Sequence, residues 1–228
     1  MPPGATLPRS ELAQRVDACT GVRRKPEKRS AEQQQHLKTL LAVVRVPERS
    51  LIGHLAWATW HFQDIVLNRT GGGNPFGNIG VRYAGSDDDD ALNATVARYA
   101  ADPAALATFG ADTDPQGHIP VPVLTMHGVD DPIAFVELES AFRATMQRAG
   151  TADHLVQLFT ADTEHSYFSD VQYLAATEAL LAWAQHGDRP TPEAVDQRCK
   201  ALEARHGGGC RFLPQYRSAP LSERVPAR

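Results

Sequence analysis

The feature that most constrains this chain is a pair of short apolar runs in its second half, at 121–126 and 155–159. Runs of this length, bounded by turn residues, are typical of strands that are buried inside a sheet on both faces. Amphipathic segments with helical spacing follow them, at 135–149 and 171–185. Because strands that are joined through a helix by short connections run parallel, the sequence predicts an α/β fold for residues 120–187.

The loops that follow these two strands carry the candidate catalytic residues. The first loop contains Asp130 and Asp131, and the second contains His165. Loops at the carboxyl ends of adjacent parallel strands open into one crevice, where a carboxylate can fix the tautomer of an imidazole whose other nitrogen faces a nucleophile. The alternatives are that Asp131 only starts a turn and that His165 is a structural histidine. His127, at the end of the first strand, is interpreted as a packed or hydrogen-bonded residue.

Residues 121–187 resemble the last two strand–helix units of α/β-hydrolases related to prolyl oligopeptidases and carboxylesterases. The stretch 122–132 looks like the family's acid-bearing loop, which places the triad aspartate on Asp131. The stretch that ends in Glu164 and His165 looks like the family's histidine loop, although the family usually has glycine where this chain has Glu164. The resemblance implies cleavage of a small-molecule ester, or of an amide, by acyl transfer and without a cofactor.

The nucleophile that this chemistry requires has no candidate in the sequence. A serine hydrolase of this family carries Gly-x-Ser-x-Gly between an early strand and its helix, and no serine here has that glycine pair. Two strands are predicted, where the full fold uses about eight. We expect either the cap and C-terminal portion of a larger hydrolase, completed by an N-terminal half, or a complete small binding or assembly module that kept the scaffold and lost catalysis.

Residues 30–119 are predicted to be helical and to resemble the cap of such enzymes, after an N-terminal arm at 1–29. The helix at 48–67 is apolar around most of its circumference, so we expect it to be buried on several sides or to cover an apolar cleft. Its large aromatic side chains are interpreted chiefly as core, with substrate contact as the alternative. They are Trp57, Trp60 and Phe62.

Two other groups of residues have side chains that metals use. The acidic run at 87–90 precedes a predicted helix, which favours a capping role, and it lacks the alternation of a calcium loop. His54 and His61 are seven positions apart on one helix face, without a third ligand nearby in the sequence. We therefore expect no metal site.

The tail at 188–228 begins with a predicted helix and contains Cys199 and Cys210. The glycines at 207–209 permit the reversal that a disulfide between these cysteines needs, and such a bond is typical of exported proteins. Two free thiols, or half of a metal site, are the alternatives, and Cys19 is left over in any case. The first eight residues are no signal peptide. Because of the expected disulfide, we nevertheless expect the parent protein to be secreted or periplasmic, and otherwise cytoplasmic.

The composition excludes two classes of partner. The formal net charge is −4, which gives no basic surface for nucleic acid. No apolar run approaches the roughly 20 residues that cross a bilayer, so we expect no membrane segment.

The two predicted strands would leave an edge of their sheet unpaired. Such an edge can pair with a strand of another chain, which makes a homo-oligomer the expected assembly.

Overall fold

The computed structural model describes residues 6–8 and 10–225. Residues 1–5 and 9 of the predicted N-terminal arm and residues 226–228 of the predicted tail lie outside the described residues. The chain divides into two compact units, Met1–Asp114 and Pro115–Arg228, which are described separately below.

The first unit is helical in the residues that the structure describes. The segment predicted as an arm contains α1 (Glu11–Thr20), which packs against α2 (Ala31–Val44) and α3 (Glu48–Asp64). A capping box starts α2, in which the backbone N–H of Gln33 donates to the Ser30 hydroxyl and the Gln33 side chain accepts from the N–H of Ser30. A π-helical turn, Ile65–Arg69, extends α3. The helices are α1 (Glu11–Thr20), α2 (Ala31–Val44), α3 (Glu48–Asp64), α4 (Asp89–Thr95) and α5 (Pro103–Thr113).

The aromatic side chains of α3 do not form a core, so the chief interpretation of these residues is wrong. Trp57, Trp60 and Phe62 are 43%, 54% and 52% exposed. The buried residues of α3 are Ser50, Leu51 and Thr59, which form a much narrower surface than the apolar circumference of the helix. Helix periodicity shows which positions are apolar, whereas burial depends on how many neighbours the fold supplies.

The acidic run at 87–90 caps a helix, as predicted. Asp88 is the N-cap of α4, and its carboxylate accepts from the N–H of Ala91 at 2.9 Å. The other three carboxylates bond to different partners rather than to one centre: Asp87 to Lys38, Asp89 to Ser86 and Asp90 to Arg82.

The second unit has mixed α/β structure, which confirms the predicted class. Its two strands, β1 (Val123–Gly128) and β2 (Leu155–Thr160), pair in parallel, with Val123 opposite Leu155 and Gly128 opposite Thr160. The connection between the strands contains α6 (Leu138–Arg148). The helices α7 (Asp170–His186) and α8 (Pro192–His206) follow β2.

The two strands differ in burial, although both were expected to be covered on both faces. In β2, Val156 and Leu158 join α7 and α8 in the main core, together with Trp183 and Val195. Five of the six residues of β2 are buried, whereas five of the six in β1 are only partly buried. The outer edge of β2 receives Phe212 of the tail in an antiparallel bridge, and no strand of the described residues pairs with the outer edge of β1.

The predicted disulfide is confirmed. Cys199 and Cys210 are bonded, with their Cα atoms 5.9 Å apart. Cys199 is fully buried in the core beside α7, so the bond ties the tail to the centre of the unit. Cys19 is free and exposed in the first unit, where its Sγ lies 3.2 Å from Nδ1 of His36.

Replacement of both bonded cysteines by alanine is expected to lower the free energy of unfolding of the second unit by about 2–3 kcal/mol. The bond closes a loop of 11 residues, and its loss releases the conformational entropy of that loop in the unfolded chain. Urea denaturation followed by Trp fluorescence measures the change. Cys19→Ala is the matched control and should leave the midpoint almost unchanged. Equal midpoints for all three proteins would contradict the prediction.

Candidate active site

Asp131 is held by the turn that follows β1. Its Oδ1 accepts from the backbone N–H groups of Ile133 and Ala134, at 2.7 and 3.0 Å. Its side chain is only 7% exposed. These bonds fix the plane of the carboxylate and direct Oδ2 away from the turn. Asp131 therefore stabilises the turn through Oδ1, and Oδ2 is available for a second interaction.

His165 supplies that second interaction. Its Nδ1 lies 2.7 Å from Oδ2 of Asp131, across 34 positions of sequence. Because an ionised carboxylate only accepts hydrogen bonds, Nδ1 carries the proton, and Nε2 of the neutral ring keeps its lone pair. The side chain of His165 is 44% exposed, and Nε2 makes no hydrogen bond within the described part of the chain. We refer to Asp131 and His165 as the acid–histidine pair.

The two loops can approach each other because β1 ends in glycine. A Cβ atom on Gly128 would lie 2.7 Å from the carbonyl oxygen of Asp162, closer than Cβ contacts allow. The N–H of Val129 donates to the carbonyl of Thr160 at 2.9 Å and continues the pairing past the strand ends. Any side chain at position 128 would therefore separate the loop of Asp131 from the loop of His165.

A buried aspartate anchors the histidine loop from behind. Asp162 is 3% exposed, and its two oxygens accept from Arg211 and Gln172, each at 2.9 Å. Arg211 adjoins the disulfide, and its carbonyl accepts from the N–H of Ala161. These anchors were not predicted, because Asp162, Gln172 and Arg211 are distant in sequence and belong to no motif.

A second carboxylate lies behind Asp131 and was also not predicted. Glu139 of α6 accepts at Oε2 from Thr125 and Gln157, and its Oε1 is 3.2 Å from Nδ1 of His127. The other ring nitrogen of His127 lies 3.7 Å from Oδ2 of Asp131. The interpretation of His127 as a hydrogen-bonded residue agrees with these contacts, but no sequence pattern indicates its partner.

Hydrogen bonding shifts the ionisation of both carboxylates. Burial acts to raise the pKa of Asp131, but the bonds from His165 and from the two turn N–H groups outweigh it, so the pKa is lowered. The pKa of Glu139 is lowered in the same way, against its burial, by His127, Thr125 and Gln157. Both groups are therefore carboxylates at neutral pH.

Of the predicted site residues, the structure brings together Asp131 and His165. Trp57, Trp60 and Phe62 belong to the first unit, where Phe62 packs against Phe76 at a ring distance of 4.7 Å. The described residues contain no group of three His, Cys, Asp or Glu side chains arranged to hold a metal ion, His54 and His61 included.

Comparison of the chain with protein-family models, with curated proteins and with solved structures found no match. Among the described helices, none has the length and apolar character needed to cross a membrane.

Asp131→Asn is expected to destabilise the second unit by about 1–3 kcal/mol at pH 6, because the charged acceptor of His165 is lost. The folded pKa of Asp131 is below its unfolded value, so its ionisation stabilises the native state above about pH 4, and this contribution is lost as pH falls through the folded pKa. The difference between the wild type and the variant should therefore shrink as the pH falls below about 3.9, the ordinary pKa of an aspartate. Urea denaturation between these pH values measures it.

Asp130→Asn is the matched control for this experiment. Asp130 precedes Asp131 directly and is exposed. Its replacement should change the free energy of unfolding by less than about 0.5 kcal/mol at any of these pH values. A difference between wild type and Asp131→Asn that stays constant with pH would show that the charge of Asp131 is not what stabilises the loop.

Proposed function

We propose that this chain supplies the acid and the histidine of a serine hydrolase that cleaves esters by acyl transfer. The hydrogen bond of 2.7 Å between His165 Nδ1 and Asp131 Oδ2 carries the proposal. The two residues follow consecutive parallel strands in the order acid and then histidine, which is the order of α/β-hydrolases. The resemblance of residues 121–187 to the last two units of that fold supports the same reaction class.

In the proposed mechanism, His165 acts through Nε2. This atom takes the proton of a serine hydroxyl as the oxygen attacks the ester carbonyl, and then returns the proton to the departing alcohol. Asp131 keeps the proton on Nδ1 and stabilises the imidazolium that forms in each step. Because Oδ1 of Asp131 is bonded to two backbone N–H groups, the carboxylate cannot rotate away from the ring.

The nucleophile in this proposal lies outside the 228 residues. No serine of the sequence has the flanking glycines of a nucleophile elbow, and Ser166, next to His165, has a positive φ of 60° in the histidine loop itself. The chain would therefore act together with a segment that carries the elbow and the remaining strands. Amide cleavage uses the same groups, and the preference for a small ester follows from the resemblance alone.

The disulfide bears on where the parent protein functions. Bonds such as Cys199–Cys210 persist in oxidising compartments and are rare where thiols are kept reduced. We therefore propose a secreted or periplasmic parent protein.

The test uses a fluorophosphonate probe, which labels activated serines, on extracts of cells that express the natural gene. We expect a labelled polypeptide or complex that contains tryptic peptides of this chain, with the labelled serine outside the 228 residues. The chain recovered as an unlabelled 24.8 kDa species, without a labelled partner, would overturn the proposal.

A second experiment on the same proposal uses the purified 228-residue chain. Its turnover of p-nitrophenyl acetate should equal that of His165→Ala, because no serine is placed for attack. Turnover well above that of His165→Ala would locate a nucleophile within the chain, and the proposed division of the site would then be wrong.

A second candidate is a binding or assembly module without catalysis, and the free edge of β1 favours it. The tail covers the outer edge of β2 through the bonds of Ala161 to Arg211 and of Leu213 to Phe159. Within the described residues β1 has no such cover, so its outward N–H and C=O groups are available to a strand of another chain, including a second copy.

This candidate predicts a dimer with a protected β1. Multi-angle light scattering after size exclusion gives the mass, and hydrogen exchange compares β1 with β2. In a monomer, the alternate amides of β1 that point away from β2 should exchange much faster than the amides of β2. A monomer in which β1 exchanges in this alternating manner would exclude assembly through this edge.

A further inference from the structure

His127 lies between two carboxylates, and its hydrogen bonds define its charge. Nδ1 is 3.2 Å from Oε1 of Glu139, and Nε2 is 3.1 Å from the carbonyl oxygen of Ala134. Both neighbours are acceptors. A neutral imidazole has one N–H and would direct a lone pair at the other oxygen, whereas an imidazolium donates to both.

The partners of Glu139 show that it is ionised. Oε2 accepts from the Thr125 hydroxyl at 2.8 Å and from the Gln157 amide at 2.5 Å. Arg143 donates to Oε1 of Gln157 and so fixes which end of that amide faces Glu139. With two donors on Oε2, the side chain of Glu139 has the environment of a carboxylate and leaves Oε1 to accept from His127.

The same imidazole also faces the acid–histidine pair. Nε2 of His127 is 3.7 Å from Oδ2 of Asp131, the oxygen that His165 also contacts. His127 and Asp131 are 12% and 7% exposed, so water screens their charges weakly. The charges that raise the pKa of His127 belong to Glu139 on α6 and Asp131 in the turn. From β2, the uncharged amide of Gln157 donates to Glu139.

We propose that His127 is a positioning residue, an imidazolium that links Glu139 to Asp131 and holds the Asp131 carboxylate toward His165. The proposal extends the function proposed above, on which its meaning for catalysis rests. The charges then alternate along Glu139, His127 and Asp131, and Oδ2 of Asp131 accepts from Nδ1 of His165. Without the cation, two buried carboxylates would share one region, and protonation of Asp131 would remove the acceptor of His165.

The ionisation of the group supports this geometry. Burial acts to lower the pKa of His127, but the Glu139 hydrogen bond, the Ala134 carbonyl and the charges of Glu139 and Asp131 outweigh it, so the pKa is raised. A raised histidine pKa stabilises the fold below about pH 6.5, and this contribution is lost as pH rises through the folded pKa.

Nitrogen-15 NMR of the histidine rings tests the proposal on the purified chain. At about pH 6.5, the ordinary histidine pKa, most His127 rings should show the shifts of an imidazolium at both nitrogens, because the pKa is raised. In Glu139→Gln, the titration midpoint of His127 should fall by about one unit or more, because the nearest opposite charge is gone. A neutral His127 in the wild type at this pH would overturn the proposal.

The positioning role has its own readout, the downfield proton signal of His165 Nδ1–H bonded to Asp131. His127→Asn and Glu139→Gln should each broaden or abolish it. The matched control is His154→Asn, since His154 is a half-buried histidine whose Nδ1 bonds only to the carbonyl of Ile119. If the signal persists unchanged in Glu139→Gln, which keeps the shape of the side chain, the positioning role is wrong.

Neither measurement requires a nucleophile, so the result is independent of the probe-labelling experiment. A protonated His127 without a labelled serine would leave the charge arrangement in place and overturn only the hydrolase. A labelled serine together with a neutral His127 would support the hydrolase and overturn the charge arrangement.

Discussion

Parallel pairing of β1 and β2 in a fixed register is the interaction on which the rest of the second unit depends. Gly128 and Thr160 lie opposite each other at the ends of the strands, so the two following loops begin at the same level of the sheet. The bond from Val129 to Thr160 continues the pairing by one residue. A shift of one position would move every side chain of one strand to the other face, and the candidate groups would no longer meet.

This register brings buried charges close together, and the structure balances them. Asp131 and Glu139 are both nearly inaccessible to water, and a buried carboxylate without a partner is strongly destabilising. Each has hydrogen-bond donors on both of its oxygens, from backbone N–H groups, a hydroxyl, an amide and histidine rings. The hydrogen bonds keep the carboxylates ionised although burial opposes it, which explains why a charged acid can lie inside the protein.

The tail gives the histidine loop its support. The disulfide fixes Cys210, the next residue Arg211 reaches the buried Asp162, and Phe212 pairs with the outer edge of β2. The tail therefore stabilises the loop that carries His165, in addition to the core residues that it supplies. The outer edge of β1 has no equivalent among the described residues, and this asymmetry underlies both proposed functions, since each requires another segment or chain at that edge.

The sequence alone was sufficient for the local structure and for the acid–histidine pair. Apolar runs, capping residues and glycines act within a few positions, so the helices other than α1, the two strands, the capping role of the acidic run at 87–90 and the disulfide were predicted close to where they lie. Asp131 and His165 were predicted from their places at strand ends, because the topology of a parallel pair brings such positions to one edge.

Tertiary structure decided the remaining features, which depend on contacts between distant residues. The approach of Gly128 to Asp162, the anchor of Asp162 by Arg211 and the charge chain through His127 and Glu139 carry no local pattern. The exposure of the α3 aromatic residues was mispredicted for the same reason. Periodicity records that a side chain is apolar, but the neighbours that cover it come from elsewhere in the chain, and only the folded structure shows whether they are there.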